Sequence, residues 1–595
     1  MTFPLHQDAA AAAVLRRTRM MLLLLLLMFS FSSFPSVTAE CPEGCTCYDE
    51  VVECYEQVLD RIPDRIPQAT KTLDLCYNEI RDIESLALLT ELQSLDLSFN
   101  EIMDIESLAH LTELKTLNLS NNNIVEVKNR VFANLSQLQI LFLHRNKIEN
   151  IETGAFNNLT SLKELELDYN NIHKLDLEMF KGLTKLDELG LSNNNIKELK
   201  NGVFSNLRNL QLLYLDNNKI MEIESLAHLT ELKTLYLRNN YVSELKHGAF
   251  ANLSQLQILL LHTNKIENIE TGAFNNLTSL KELELDYNNI HKLDLEMFKG
   301  LTKLVKLGLS NNNISDVKNC VFENLSKLQI LYLSNNNISE LKHGAFANLS
   351  QLQILFLHRN KIENIETGAF NNLTSLKELQ LDYNNIHKLD LETFKGLTKL
   401  DKLMLSNNNI SNVNNGVFSN LSKLQILYLS NNNISELKHG AFANLSQLQI
   451  LFLHRNKIEN IETGAFNNLT SLKELELDYN NIHTLDLEMF KGLTKLDKLY
   501  LSNNNISVLK HGAFANLSQL QILFLHRNKI ENIESGTFNN LTSLKELELG
   551  YNKIYKLDLE VFKGLIKLDK LGLSNNNISE VNNGVFSNLR NVQLL

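Results

Sequence analysis

The chain has 595 residues, of which 44% are hydrophobic and 21% charged, and its formal net charge is −12. Only 5 Pro occur and Trp is absent, so the composition excludes a disordered chain and allows a long buried core. The acidic balance argues against phosphate backbones, so no nucleic-acid partner is expected.

The first 39 residues have the layout of a secretion signal. Three arginines between positions 16 and 19 precede the apolar run 20–29, and a polar stretch follows that ends at Ala39. The run is shorter than the roughly 18 apolar residues that mark a transmembrane helix. Residues 1–39 are therefore predicted to be a cleaved signal peptide, and an uncleaved N-terminal anchor is the alternative.

Four cysteines follow the predicted cleavage site: Cys41, Cys45, Cys47 and Cys54. Oxidation is permitted after secretion, so the cluster predicts two disulfide bonds, with a zinc site as the alternative. With the Ile-Pro pairs at positions 62 and 66, the spacing C-x3-C-x-C-x6-C resembles the N-terminal cap of extracellular leucine-rich-repeat proteins. The resemblance implies a cap over 40–70 in which Cys41 pairs with Cys47 and Cys45 with Cys54.

From Leu73 onward the pattern L-x-x-L-x-L-x-x-N-x-I recurs 22 times, with its first Asn at Asn78 and its last at Asn576. Most steps are 24 residues long, and shorter steps carry E-S-L-A where the others carry a Phe-containing segment. One repeat cannot bury its apolar side chains alone, so successive turns must stack around a continuous core. We predict repeats over 71–588 and the start of a further one at 589–595.

This pattern resembles the leucine-rich-repeat family over the whole range. The resemblance implies an α/β solenoid: a horseshoe with a parallel β-sheet on its concave face and loops or short helical turns on its convex face. The recurring Asn is predicted to bond to the backbone of its turn, because a buried amide is costly unless its donors and acceptor are satisfied. The recurring Phe is predicted to pack as a spine on the far side, and neither column is given a ligand role.

Two features lie outside the regular pattern. Cys76 and Cys320 are some ten repeats apart, too far for a bond between them in an extended solenoid. Each is therefore predicted to be a free thiol, and an intermolecular disulfide is the alternative. Residues 589–595 stop inside a strand without a capping segment, and we expect further sequence, since natural solenoids cover an open core and sheet edge. Membrane attachment is expected only if such a segment supplies it.

Aromatic residues recur in adjacent pairs at the outward position between the last two strand leucines. They are flanked by outward Ile and rimmed by charged residues, an arrangement typical of protein interfaces. The alternative is that the rings only stabilise the sheet by cross-strand contact. The predicted ligand-binding residues are Tyr332, Phe356, Tyr428, Phe452, Tyr500, Phe524, Arg359 and Arg455.

N-x-S/T acceptor sequences for glycosylation follow the Phe spine, away from the predicted concave face. The predicted sites are Asn134, Asn158, Asn252, Asn276, Asn348, Asn372, Asn444, Asn468, Asn516 and Asn540.

Catalysis needs unlike groups held in a pocket, whereas the His, Asp and Glu residues here recur in register along an open face. We therefore predict no enzyme activity, catalytic residue, cofactor or metal site. The expected function is extracellular recognition or adhesion, with a protein or glycan bound on the concave face, as in the ectodomains of Toll-like receptors. The alternative is a matrix protein similar to the small leucine-rich proteoglycans. The protein is expected to be secreted, or at the cell surface if anchored, and dimerisation is left open.

Overall fold

The computed structural model of the protein describes residues 41–318, 320–414 and 416–594. The predicted signal peptide and its cleavage site lie outside the described residues. Within these ranges there is no helix of the length and apolar character that crossing a membrane would require.

One sheet of 24 strands runs along the described chain. Its first two strands form an antiparallel hairpin in the cysteine segment. Each of the other 22 belongs to one repeat and pairs in parallel with the strand that precedes it in the sheet. The strands are Thr46–Tyr48, Val51–Glu53, Thr72–Asp74, Ser94–Asp96, Thr116–Asn118, Ile140–Phe142, Glu164–Glu166, Glu188–Gly190, Leu212–Tyr214, Thr234–Tyr236, Ile258–Leu260, Glu282–Glu284, Lys306–Gly308, Ile330–Tyr332, Ile354–Phe356, Glu378–Gln380, Lys402–Met404, Ile426–Tyr428, Ile450–Phe452, Glu474–Glu476, Lys498–Tyr500, Ile522–Phe524, Glu546–Glu548 and Lys570–Gly572.

Each strand is short because the repeat buries one leucine there and then turns. Leu427 is fully buried, and its neighbours Ile426 and Tyr428 are half-buried on the outer side of the sheet. Three residues beyond the strand, Asn431 has φ of 55°, in the left-handed region, and this bends the chain away from the sheet. Asn adopts that conformation more readily than most residues do.

The opposite side of each turn is built from loops, short strands and short helical turns. The described residues contain three 3-10 helices, and all three carry the E-S-L-A variant: Glu84–Leu88, Glu106–His110 and Glu224–His228. The short strands form six parallel pairs, Glu126–Val127 with Asn150–Ile151, Glu244–Leu245 with Asn268–Ile269, Glu340–Leu341 with Asn364–Ile365, Glu436–Leu437 with Asn460–Ile461, Val508–Leu509 with Asn532–Ile533, and Lys556–Leu557 with Glu580–Val581. The predicted solenoid is therefore confirmed, with very little helix.

The phenylalanine spine packs on this far side, as predicted. Phe418, Phe442 and Phe466 are fully buried and stack at centroid distances of 6.2 and 6.1 Å. Neighbouring strands of a β-sheet lie about 4.8 Å apart, so the turns are more widely spaced at the spine than at the sheet. This difference curves the solenoid and places the sheet on the inner, concave face.

The asparagine ladder is also present, and it joins neighbouring turns. The Nδ2 of Asn312 donates to the carbonyl oxygens of Leu285 at 3.0 Å and Leu309 at 3.1 Å, and its Oδ1 accepts from the backbone N–H of Ile290 at 3.0 Å. Leu285 and Ile290 belong to the preceding turn. Each ladder amide therefore links two repeats as well as closing its own turn.

The cysteine segment covers the N-terminal end of the sheet. Disulfide bonds join Cys41 to Cys47 and Cys45 to Cys54, as the resemblance implies. The strand Val51–Glu53 pairs with the first repeat strand, so the hairpin continues the sheet. Cys76 is half-buried and Cys320 is exposed, and both are free thiols.

Candidate functional site

The predicted aromatic residues lie together on the concave face, on adjacent parallel strands. All six side chains are half-buried, so each ring packs against its partner and keeps a solvent-facing part. The ring centroids are 5.0 Å apart in Tyr332–Phe356, 4.7 Å in Tyr428–Phe452 and 5.2 Å in Tyr500–Phe524. The first two pairs are stacked, and the third is edge-to-face, with an interplanar angle of 75°.

Isoleucine side chains extend each aromatic pair across the strands. Ile426 is paired in register with Ile450, as Tyr428 is with Phe452, so four apolar side chains form one patch. Two strands, Glu378–Gln380 and Lys402–Met404, separate this patch from the one around Phe356. At about 4.8 Å per strand, equivalent residues of the two patches are roughly 19 Å apart.

The two predicted arginines lie at the edge of the concave face, where the strands turn. Both are exposed, and each guanidinium stacks over a tyrosine of the next repeat: Arg359 over Tyr383 at 4.9 Å and Arg455 over Tyr479 at 4.8 Å. Such cation–π contacts hold the arginine flat along the edge. The sequence did not indicate this stacking of the two arginines.

Burial favours the neutral forms of the patch tyrosines and of His358. It raises the pKa values of Tyr332 and Tyr428, and burial together with nearby glutamates raises that of Tyr500 to about 12. Burial, and then the charge of Arg359, lowers the pKa of His358. The patches therefore present neutral tyrosine hydroxyl groups beside the apolar side chains.

Sequence reasoning did not select a fourth aromatic pair, Tyr214 with Tyr236, whose rings stack at 4.8 Å with an interplanar angle of 6°. Arg238 lies over the Tyr236 ring at 5.2 Å and forms an ion pair with Asp216 at 2.6 Å. Both tyrosines occupy the same outward column as the predicted pairs. The pair could have been found from the sequence, because the two tyrosines occupy equivalent positions in adjacent repeats that are 22 residues apart.

Charged strand residues separate the apolar patches. Lys306 bridges Glu282 at 2.8 Å and Glu284 at 2.7 Å, and Lys402 contacts Glu378 at 3.0 Å. Further along, Lys498 contacts Glu474 at 3.5 Å and Lys570 contacts Glu546 at 3.7 Å.

Two neighbouring strands differ from this pattern. Carboxylate oxygens of Glu164, Glu166 and Glu188 lie within 4.8 Å of one another, and Glu166, which is buried, contacts His144 at 2.9 Å. No metal site is expected here from the sequence, whose pattern does not single out these three carboxylates.

The ten predicted glycosylation asparagines are all exposed, on the loops that follow the phenylalanine spine. Asn158, for example, donates from its Nδ2 to the carbonyl oxygen of Ala133 at 2.8 Å. By contrast Asn118, which also begins an acceptor sequence, is buried on a strand and donates to Asp96 at 3.0 Å. Accessibility thus differs between the spine positions and Asn118.

Family models match the chain almost throughout its repeats. The leucine rich repeat model matches residues 112–220 and 254–595 in overlapping segments, and the model for leucine rich repeats in two copies matches 71–111 and 208–252. The chain therefore belongs to the leucine-rich-repeat family.

Similar curated proteins match only short parts of the chain. Peroxidasin of Drosophila melanogaster is 42% identical over 57 residues, which are 9% of this chain and 4% of peroxidasin. Asporin of Bos taurus is 43% identical over 44 residues, 7% of this chain and 12% of asporin. The chain thus aligns with a small fraction of these relatives' lengths.

Solved structures match over most of the chain. A plant peptide hormone receptor, RGFR1 in complex with RGF2, is 25% identical with a TM-score of 0.56 and covers 89% of this chain and 90% of its own. The glycosylated Toll–Spatzle complex of Drosophila is 22% identical with a TM-score of 0.63 and covers 88% and 80%. These similarities support the solenoid fold along the chain.

Proposed function

We propose that this chain is a non-catalytic extracellular recognition protein, a receptor-type ectodomain that binds a protein ligand on its concave face. The observation that carries the proposal is the series of half-buried aromatic and isoleucine patches along the concave strands. Aromatic anchors in partly desolvated patches with polar surroundings supply most of the binding energy in protein interfaces. The similar plant receptor, whose structure contains RGF2, supports a ligand-binding role.

The ring geometry favours a protein ligand over a glycan. Tyr428 and Phe452 stack with an interplanar angle of 3°, so each covers one face of the other. A sugar ring packs flat on an open aromatic face, whereas apolar protein side chains also pack well against ring edges and the adjoining Ile450. The acidic charge of the chain, −12, likewise disfavours a nucleic acid.

The glycosylation sites fit this proposal. Glycans on the spine loops would cover the far side of the solenoid and leave the concave patches accessible. The cap disulfides support the extracellular location, because such bonds persist in oxidising compartments.

The test compares the secreted wild-type chain with the double variant Tyr428→Ser, Phe452→Ser on an array of extracellular proteins. Both side chains are half-buried on the sheet surface, so we expect normal secretion. Proteins bound by the wild type should lose about tenfold or more in affinity for the variant, the scale of a lost aromatic anchor.

Leu391 and Leu487 provide the matched control. They are 54% and 50% exposed and lie outside the concave sheet. Leu391→Ser with Leu487→Ser removes comparable exposed apolar surface and should leave array binding unchanged. Unchanged binding by the Tyr428 and Phe452 variant would refute the assignment of the concave patches.

A further inference from the structure

Two segments of the chain form an almost identical pair. Residues 146–196 and 264–314 have the same sequence except at two positions, where Asp187 corresponds to Val305 and Glu188 to Lys306. The strand register is also the same, because Gly190 pairs with Tyr214 as Gly308 pairs with Tyr332. Any difference between the two surfaces therefore comes from these two positions and from the residues outside the segments.

In the second segment the protein binds an ammonium group of its own. The Nζ of Lys306 contacts Glu282 at 2.8 Å and Glu284 at 2.7 Å, and it lies 6.0 Å from the ring centroid of Tyr332. Gly308 has no Cβ, and the carboxylate of Asp286 occupies the space that a Cβ would need. Two carboxylates and an aromatic ring thus surround one ammonium.

In the first segment the surrounding residues are retained but the lysine is replaced. Glu164, Glu166, Gly190 and Tyr214 correspond to the residues around Lys306, while Glu188 takes the lysine's position. The carboxylate oxygens of the three glutamates come within 4.8 Å of one another. Glu166 also contacts His144 at 2.9 Å, and a positive charge placed between three carboxylates this close stabilises them further.

We propose that Glu164, Glu166, Glu188 and Tyr214 form a binding site for the ammonium group of a lysine side chain on the partner protein. The inference rests on the proposed function, since it assumes a protein ligand on the concave face. The stacked Tyr214–Tyr236 pair continues the site on the next strands, so an apolar residue beside the lysine has a surface to contact.

An ammonium group fits this site better than a divalent metal ion does. The equivalent residues in the second segment bind an ammonium, and Tyr214 offers a ring face, which attracts an organic cation. Calcium instead takes six to eight oxygen ligands, and a ring face supplies none. The partner's lysine would take the place that Lys306 takes in the second segment.

The experiment uses the whole secreted chain on a biosensor and, as its probe, a carrier protein that displays a peptide with one lysine among leucine and serine residues. Glu188→Lys recreates the arrangement of the second segment, so it should fold normally. It should weaken probe binding about tenfold, because an ammonium then occupies the site and the local charge is reversed. Lys306→Glu should create a second site and about double the bound probe.

Two controls separate a specific site from general charge attraction. Glu198→Lys makes the same charge change at an exposed position outside the strands and should leave binding unchanged. A probe with acetylated lysine keeps the shape but loses the charge, and it should bind about tenfold more weakly. Equal binding of the wild type and Glu188→Lys would overturn the proposal.

The competitors distinguish other occupants. Displacement of the probe by millimolar calcium would also overturn the proposal, because the site would then bind a metal ion. Displacement by n-butylamine as effectively as by the free peptide would overturn it as well, because the site would then bind a small amine. The Tyr428 and Phe452 double variant should bind this probe normally. If that double variant loses its array partners while Glu188→Lys has no effect on probe binding, only the lysine site is refuted. If the double variant keeps its array partners while Glu188→Lys weakens probe binding, only the aromatic patches are refuted.

Discussion

The ladder asparagines are the residues on which the repeat depends most. Asn312 is 6% exposed, and its amide bonds to four backbone groups, two of them in the preceding turn. A buried donor or acceptor that loses its partner costs about 1–3 kcal/mol, so one substitution here leaves several such costs at once.

We therefore expect Asn312→Ala to lower the free energy of unfolding locally by at least about 3 kcal/mol. Because each turn contacts only its neighbours, the loss should be confined to adjacent turns. Hydrogen exchange should show faster exchange at the amide of Ile290 and around it, with distant turns unchanged. Asn313 has an exposed side chain, and Asn313→Ala is the control that should leave exchange unaltered. Equal exchange in both variants would contradict the structural role of the ladder.

At the scale of the strand and its following turn, a row of aspartates makes the fold sensitive to pH. Asp286, Asp382 and Asp478 each accept a hydrogen bond from the backbone N–H of a serine one turn on. Burial nevertheless raises their pKa values, to about 7 for Asp286 and about 6 for the other two.

These raised pKa values predict greater stability under acidic conditions. The unfolded-state pKa is about 3.9, so the folded chain binds more protons between that value and about pH 6. The stabilising contribution of Asp382 is complete below about pH 3.9 and is lost as the pH rises through 6. Asp382→Asn keeps a hydrogen-bond acceptor and removes the buried charge. At pH 8 it should be more stable than the wild type by about 2 kcal/mol, and at pH 4 the two should be equal.

Thermal unfolding of both proteins at the two pH values tests this expectation. Asp390 in the same repeat is exposed, so Asp390→Asn should show the same small difference at both pH values. A stability difference for Asp382→Asn that does not vary with pH would show that the burial of its charge has no energetic effect.

The sequence was sufficient to predict whatever is fixed by the repeat period. Buried Leu427 and the spine at Phe442 follow from apolar residues at constant spacing, and the amide of Asn312 follows from the cost of burying a polar group. The edge-to-face geometry of Tyr500 with Phe524 could not be predicted, because rotamers depend on the packing of neighbouring strands. The closeness of the Glu164, Glu166 and Glu188 carboxylates required the register, since only the paired strands show which outward residues lie side by side.

At the scale of the whole molecule, the near-identical blocks make the solenoid divisible. Residues 325–347 and 421–443 are identical in sequence, so deleting 348–443 joins Ala347 to Asn444 at a junction that the chain already contains. The deletion removes four strands, and with them Phe356 and Tyr428, so it disrupts two aromatic pairs. It also brings Tyr332 beside Phe452, and these two residues form a new pair. Each turn in the shortened chain therefore keeps native neighbours.

We expect this deletion variant to be secreted and folded. Its melting temperature should lie within a few degrees of the wild-type value, a shift that corresponds to a change of about 1 kcal/mol in the free energy of unfolding. Small-angle scattering should show a solenoid shorter by four turns.

Binding of the lysine probe should be unchanged, because Glu188 lies outside the deleted block. Array partners that contact several aromatic patches at once should bind more weakly, since one of those contacts is lost. Retention of full affinity would show that a single patch is sufficient, and failure to fold would show that the turns depend on more than their neighbours.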